Sequence, residues 1–195
     1  MKLIAITGGI GSGKSVIARI VQVMGYHVYD CDSRARMLMT ESEEVRQKLI
    51  EKFGQETYLP DGSLNRQHLS AIAFADPQAL SRLNDIVHPA TAADMMRWGE
   101  KRAASGDKAA FVETALLRTA HLDSVVDDVW HVTAPSEVRI KRVQSRSGLS
   151  PQQVMERMEA QRDEERINPG EQVIINDNNT ALLPQVMRLL SSIQN

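Results

Sequence analysis

The stretch that decides the fold is Gly8-Gly9-Ile10-Gly11-Ser12-Gly13-Lys14-Ser15. It matches the pattern G-x-x-x-x-G-K-[ST], in which a glycine-rich loop surrounds the phosphates of a nucleotide. Glycine adopts backbone conformations that are closed to other residues, so such a loop can point several N–H groups at one anion. The stretch therefore predicts a phosphate-binding loop.

The segments on either side of this loop agree with that prediction. The apolar run at 3–6 predicts a buried strand before the loop. After the loop, apolar residues recur with helical spacing at Val16, Ile20 and Met24. The order strand, loop, helix places the loop at a helix N-terminus, where unpaired N–H groups and the helix dipole favour an anion. We expect Lys14 to reach the β- and γ-phosphates and Ser15 to ligate Mg²⁺.

Length and composition limit the classes of protein to be considered. A chain of 195 residues has room for one α/β core with an inserted subdomain. The formal net charge of −2 gives no general attraction to polyanions, so we do not expect a nucleic-acid partner. The single cysteine, Cys31, and the lack of a signal sequence or spanning segment at the N-terminus predict a cytoplasmic protein without a membrane partner. Composition leaves the oligomeric state open.

Two carboxylates follow the next predicted strand. Residues 26–30 form a short strand pattern, and Asp30 and Asp32 stand two residues apart. Because α/β sheets bind ligands at the carboxyl ends of their strands, a carboxylate here would lie in the same crevice as the phosphates. Asp32 is therefore a candidate general base. Alternatively, Asp32 caps the N-terminus of a helix predicted at 33–39. Spacing alone leaves both roles open.

The region that follows, as far as about residue 104, has a helical pattern throughout. Thr40-Glu41-Ser42-Glu43 predicts a capping box, and Gly54 predicts the end of the helix that it starts. His88-Pro89 predicts the interruption of a later helix, because the residue before a proline avoids the α region. So many helices exceed a simple crossover between parallel strands. We therefore expect residues 32–88 to form an inserted helical subdomain.

Three further strands are predicted at 109–113, 128–133 and 172–176. The first of these ends in Glu113. Many P-loop proteins carry an acidic residue at this place, where it orients Mg²⁺ through water. We expect the same role for Glu113.

A helical hairpin rich in arginine is predicted at about 139–166. Arg139, Arg142 and Arg146 have the spacing i, i+3, i+7 and share one helix face, and Ser150-Pro151-Gln152-Gln153 predicts the start of the second helix. In a P-loop protein such a hairpin can act as a lid that neutralises triphosphate charge and excludes water. The alternative is a surface on which these arginines form salt bridges with interleaved acidic residues. The predicted core then has three parts, at about 1–31, 89–138 and 167–195.

With these motifs described, the chain resembles the dephospho-coenzyme A kinase family over nearly its whole length. Only the phosphate loop is general to P-loop proteins, and the rest of the resemblance comes from short motifs in the order typical of this family. They are Asp30-Cys31-Asp32 with Arg36, Phe53-Gly54, Asp61-Gly62-Ser63-Leu64-Asn65-Arg66, Leu83-Asn84, His88-Pro89, Leu116-Leu117, Arg142 with Arg146, Gln161, and Ile175-Asn176. The chain departs from the family pattern at Val16, where threonine is usual, at 113–118, and at Arg139, where glutamine is frequent.

The resemblance implies an α/β P-loop kinase fold like that of nucleoside monophosphate kinases. Its parts are a five-stranded parallel sheet flanked by helices, a helical coenzyme A-binding subdomain and a helical lid. The implied reaction, with ATP and Mg²⁺, is phosphorylation of the ribose 3′-hydroxyl of dephospho-coenzyme A, the last step of coenzyme A biosynthesis. The expected catalytic residues are Asp32 as the base, Lys14 and Arg142. The expected acceptor-binding residues are Asp32, Arg36 and His88, although His88 alone also fits a structural role at a helix junction. The expected ATP-binding residues are Gly9, Gly11, Ser12, Gly13, Lys14, Ser15, Val16 and Arg146.

Other functions fit the phosphate loop taken by itself. A nucleoside monophosphate, shikimate or gluconate kinase would leave the motifs at 61–66 and 88–89 without a reason. A nucleotide-switch GTPase would require Asp-x-x-Gly near the third strand and Asn-Lys-x-Asp for guanine, and neither pattern stands at these places. A nucleotide-binding module without turnover would not need Lys14, Ser15 and Asp32 together. We therefore expect a small-molecule kinase.

Overall fold

The structure is a computed structural model that describes residues 1–194. Within these residues the chain forms five β-strands and eight α-helices. The strands are β1 (Lys2–Thr7), β2 (Val28–Asp30), β3 (Ala109–Glu113), β4 (Asp128–Thr133) and β5 (Gln172–Ile175). The helices are α1 (Lys14–Val23), α2 (Cys31–Glu41), α3 (Glu43–Phe53), α4 (Arg66–Ala75), α5 (Pro77–Ala104), α6 (Ser136–Ser147), α7 (Pro151–Ala160) and α8 (Leu182–Gln194). Among them, none combines the length and the hydrophobicity that crossing a bilayer requires.

The five strands form one parallel sheet in the order β2-β3-β1-β4-β5. The central strand β1 is buried from Leu3 to Thr7, as expected for a parallel strand with both faces covered. The strand register aligns Ile6 of β1 with Glu113 of β3 and Trp130 of β4, so the carboxyl ends of these strands lie along one edge. The predicted α/β class and parallel five-stranded sheet are confirmed.

The described chain divides into two compact units, and the first contains the sheet. It combines Met1–Asp30 with the chain from Gly99 onward. Its core surrounds the ring of Phe111, which meets Tyr26 and Trp130 edge to face, with centroids 5.4 and 4.9 Å away. These aromatic contacts and the aliphatic side chains around them remove apolar surface from water, which stabilises the packing of helices on the sheet.

The second unit, Cys31–Trp98, is helical and has its own small core. The buried side chains of that core are Val45, Leu49, Phe53, Leu69 and Ala79. Beside them, the Arg46 guanidinium lies 4.0 Å from the centroid of the Tyr58 ring. The boundary between the two units falls inside α5, between Trp98 and Gly99.

The predicted break at His88-Pro89 is wrong, because α5 runs through Pro89 as one helix of 28 residues. A proline inside a helix removes one N–H donor and costs about 3 kcal/mol. The hydrogen bonds on both sides of a helix this long outweigh that loss. In the same turn, the Thr91 hydroxyl donates to the carbonyl of Val87 over 2.8 Å.

Two predicted helix starts are also wrong. The helix α2 begins at Cys31, directly after β2, so Asp32 lies in its first turn and not at the N-cap. The cap of α3 is Ser42, whose hydroxyl accepts from the Val45 N–H over 3.4 Å, whereas Thr40 lies inside α2. A capping residue needs an extended backbone, and Ser42 has one.

Other local predictions are confirmed or need only new bounds. The strand β2 is three residues long, shorter than the predicted 26–30. The start of α7 is the predicted capping box, in which Ser150 and Gln153 each bind the backbone of the other over 3.3 and 3.0 Å. Gly54 ends α3 as predicted.

A buried cluster of charged and polar side chains lies in the first unit beside β4. His131 is 2% exposed, and its Nδ1 atom lies 3.4 Å from Glu171 Oε2. The other carboxylate oxygen of Glu171 accepts from the Arg118 guanidinium over 2.5 Å. Burial lowers the pKa of His131 below its ordinary value of 6.5; Glu171 opposes this shift, and the positive charge of Arg118 adds to it. The imidazole is therefore neutral at neutral pH.

We expect acid to weaken the fold through His131. The unfolded chain, with an ordinary histidine pKa, binds a proton more readily than the folded protein, so the free energy of unfolding falls as the pH drops through about 6.5. The variant His131→Gln should lose this part of the pH dependence. Urea unfolding of both proteins at about pH 7 and about pH 5 measures it. His121→Asn, at an exposed histidine, is the control, and an equal fall in stability for all three proteins would contradict the assignment.

Candidate active site

The predicted phosphate loop joins β1 to α1 and contains three glycines with positive φ. Gly8, Gly11 and Gly13 have φ values of 141°, 78° and 96°. Gly13 is the N-cap of α1, and a Cβ atom at this position would collide with the side-chain amide of Asn176. Both the backbone conformation and the available space thus require glycine there.

Each carbonyl group from Gly8 to Gly13 accepts a hydrogen bond. The pairs are Lys14 Nζ with Gly8 (2.8 Å), Ser12 N with Gly9 (3.1 Å), Arg139 Nε with Ile10 (2.8 Å), Arg142 with Gly11 (3.3 Å), Asn176 Nδ2 with Ser12 (2.7 Å) and Val16 N with Gly13 (3.0 Å). Three of these donors come from α6 and from the residue after β5. Because these carbonyls have donors, N–H groups of the loop can point at an anion. N–H groups in the first turn of α1 can bind the same anion.

Oxygen ligands suited to Mg²⁺ meet beside this loop. The Ser15 hydroxyl donates to Glu113 Oε1 over 2.7 Å. Glu113 ends β3 in register with Asp30 of β2, so a second carboxylate stands at the neighbouring strand end. Within residues 1–194 no group of three or more His, Cys, Asp or Glu side chains is arranged to hold a metal. A Mg²⁺ ion here would therefore need phosphate and water oxygens as its remaining ligands.

The three arginines of α6 have different surroundings, although the sequence places them on one face. Arg142 donates to the Gly11 carbonyl over 3.3 Å and to Asn176 Oδ1 over 3.0 Å, and it also contacts Asn178. Arg139 is buried and forms an ion pair with Glu165. The Arg146 side chain is exposed and makes no hydrogen bond or ion pair with the residues that the structure describes.

The predicted acceptor-binding residues belong to the second unit. Asp32 is exposed in the first turn of α2, and Arg36 follows it one turn later on the same helix face. His88 is half-buried on α5. Of the predicted ATP-binding residues, Val16 is 48% exposed in the first turn of α1. Lys14 and Ser15 precede it in the same turn, and the others except Arg146 belong to the loop.

Sequence reasoning assigned no role to three residues that contact the loop: Gln161, Glu165 and Asn176. Gln161 Oε1 accepts from the Ile10 N–H over 2.8 Å, and Glu165 binds Arg139. Gln161 and Asn176 belong to the motifs shared with the resembled family, and these motifs could have indicated that the two residues lie at the site. Glu165 gave no signal, because a run of acidic residues usually marks a solvated surface.

Comparison with known proteins gives consistent matches over nearly the full length. The dephospho-CoA kinase family model matches residues 2–181. A dephospho-CoA kinase from Dehalococcoides mccartyi is 37% identical over 179 residues, which is 91% of this chain and 89% of that protein. A crystal structure from Thermus thermophilus is 30% identical with a TM-score of 0.77, covering 99% of this chain and 96% of that one. Dephospho-CoA kinase from Campylobacter jejuni, at 24% identity, shares the fold with a TM-score of 0.73 and coverage of 99% and 98%.

We expect Gly13→Ala to impair nucleotide binding far more than Gly25→Ala does. Both glycines have similar positive φ values, 96° and 91°, so alanine costs about 1–2 kcal/mol of stability at either position. Only at Gly13 would the new methyl group displace Asn176, whereas at Gly25 nothing lies within 4 Å. Calorimetric ATP titration and thermal unfolding of both variants separate the two effects. Equal ATP affinity in the two variants would contradict the loop geometry described above.

Proposed function

The chain belongs to the dephospho-CoA kinase family, and on this premise we propose that it transfers the γ-phosphoryl group of ATP to the ribose 3′-hydroxyl of dephospho-CoA. The products are CoA and ADP. The observation that supports this most directly is the complete phosphate loop, with Lys14 and the Ser15–Glu113 pair at its helical end. The expected cytoplasmic location and the expected lack of a nucleic-acid partner stay predictions.

On the donor side, the residues of the first unit would bind and polarise ATP. Lys14 places an ammonium group at the loop, where it stabilises negative charge on the transferring phosphoryl group. Ser15 and Glu113 would hold Mg²⁺, which neutralises phosphate charge when bound. Arg146 is available to contact the triphosphate, and Arg142 keeps Asn176 and the loop carbonyls in place.

On the acceptor side, Asp32 would accept the proton of the 3′-hydroxyl as its oxygen attacks the γ-phosphorus. The P–O bond to ADP breaks as the new P–O bond forms, and the proton leaves with the Asp32 carboxylate. The first-turn position of Asp32 supports this role, because the N-terminal end of α2 favours the ionised carboxylate that a base requires.

A groove of about 310 Å³ in the second unit suits the rest of the acceptor. Its apolar lining consists of Met39, Leu64, Leu69, Ala73, Leu80 and Leu83. Arg36 and Arg66 also line it, and their exposed side chains make no hydrogen bond or ion pair with the described residues. Dephospho-CoA carries a diphosphate between its adenosine and a long pantetheine arm. We place the diphosphate at the two arginines and the arm in the groove.

The direct test is turnover with Mg-ATP and a panel of acceptors: dephospho-CoA, AMP, CMP, shikimate and gluconate. We expect kcat/KM for dephospho-CoA to exceed that for AMP by about 10²-fold or more, because AMP offers a 3′-hydroxyl without the arm. Identification of the product by mass and by its 3′-phosphate completes the assay. Turnover confined to another acceptor would contradict the proposed reaction.

The same assay tests the groove. Arg66→Ala should raise KM for dephospho-CoA by about tenfold, with KM for ATP unchanged, since one charge-assisted contact to a phosphate is lost. Arg82→Ala is the matched control, because Arg82 is an exposed arginine of the same unit outside the groove. An unchanged preference for dephospho-CoA over AMP in Arg66→Ala and Arg36→Ala would place the diphosphate elsewhere.

The variant Asp32→Asn distinguishes a base from a helix-stabilising carboxylate. We expect kcat to fall by about 10²–10⁴-fold, because asparagine cannot take the proton. Thermal stability should change little, since the loss of one helix-dipole interaction is worth about 0.3–1 kcal/mol. Asp30→Asn, at the end of β2, is the comparison variant and should cost less activity. An Asp32→Asn protein with wild-type kcat would leave the reaction to positioning and Mg²⁺ alone.

A further inference from the structure

The tip of the phosphate loop is held on both sides by side chains from beyond β4. The Ile10 N–H donates to Gln161 Oε1 over 2.8 Å, and the Ile10 carbonyl accepts from Arg139 Nε over 2.8 Å. The two contacts therefore fix the orientation of the peptide groups on either side of Ile10. None of the glycines around Ile10 can provide such a constraint, because glycine restricts the backbone less than any other residue.

An ion pair orients the buried arginine of this contact. Arg139 is 6% exposed, and its two terminal nitrogens face the two oxygens of Glu165, one over 2.7 Å and the other closer. This bidentate, end-on geometry occupies both terminal nitrogens and leaves Nε directed at Ile10. A lysine could keep the charge but not this fork.

The pair also packs directly against the loop. A Cβ atom on Gly9 would collide with the carboxylate of Glu165 and with the guanidinium of Arg139. Glycine at this position thus permits the close approach of the ion pair to the loop backbone.

The contacts tie both ends of the α6–α7 segment to the loop tip. Arg139 lies in the first turn of α6, and Gln161 and Glu165 follow the end of α7. The far end of the segment, with Arg146, is exposed. A displacement of either end would have to break the ion pair or turn the peptide groups that flank Ile10.

We propose that Arg139, Glu165 and Gln161 are positioning residues that hold the loop tip in its ATP-binding conformation and couple it to the α6–α7 segment. The proposal rests on ATP as the phosphoryl donor. A loop that is already ordered loses less conformational freedom when the phosphates bind, so the three side chains raise nucleotide affinity without touching the acceptor.

The test measures nucleotide binding and loop order in the absence of acceptor. Arg139→Lys, Glu165→Gln and Gln161→Met should each bind ATP about tenfold more weakly in calorimetric titrations, the effect of about one lost hydrogen bond. Amide hydrogen exchange at Ile10 should be faster in all three free proteins. In steady-state assays, KM for ATP should rise while KM for dephospho-CoA stays at the wild-type value.

The matched controls are Glu159→Gln and Arg162→Lys, which alter an exposed ion pair of 3.1 Å near the end of α7. They should keep wild-type affinity and exchange. Gln161→Met leaves the Arg139–Glu165 ion pair in place, so it remains informative if an ion-pair variant fails to fold. ATP affinity within about twofold of wild type in Gln161→Met, with unchanged exchange at Ile10, would overturn the proposal. An equal rise of both KM values in the variants would do the same.

The outcome also separates this proposal from the proposed reaction. If the wild-type protein binds ATP but does not phosphorylate dephospho-CoA, the reaction is wrong and the calorimetric comparison still decides the role of the three residues. If the variants bind ATP like the wild type while dephospho-CoA is phosphorylated, only the positioning role is wrong.

Discussion

The hydrogen-bonding demand of the phosphate loop is the constraint on which the rest of this structure depends. An N–H group that the loop offers to an anion cannot also satisfy a loop carbonyl, yet buried carbonyls left without donors would be costly. Here Lys14 supplies one donor from within the motif, and Arg139, Arg142 and Asn176 supply others from 129 or more residues away. The phosphate loop therefore depends on elements at the far end of the chain.

Because of this demand, the arginines of α6 do not form a lid of equivalent positive charges. Arg139 donates to a loop carbonyl and to Glu165, and Arg142 donates to a loop carbonyl and to Asn176. Arg146 has none of these contacts. Residues three and four positions apart on this helix thus have different partners. Equal spacing on a helix face does not imply equal function.

Predictions from local sequence succeeded where the deciding interaction is local. The capping box at Ser150, the end of α3 at Gly54 and the bounds of β3 and β4 depend on residues within a few positions of each other. The prediction failed at Pro89, because a penalty of about 3 kcal/mol at one residue is small beside the many hydrogen bonds of a long helix. It failed at Thr40 because the cap belongs to whichever residue leaves the helical backbone, here Ser42.

The sequence by itself determined the phosphate loop, the α/β class and the family, since these depend on glycine spacing, hydrophobic periodicity and ordered short motifs. Only the tertiary structure decided that Glu165 pairs with Arg139 and that Gln161 holds Ile10. Glu165 stands in an acidic run between arginines, a pattern shared by any solvated helix surface. Glu165 comes to lie against the loop because the parallel sheet brings the ends of β1 and β4 side by side, and that approach involves residues too far apart in the chain for local periodicity to reveal.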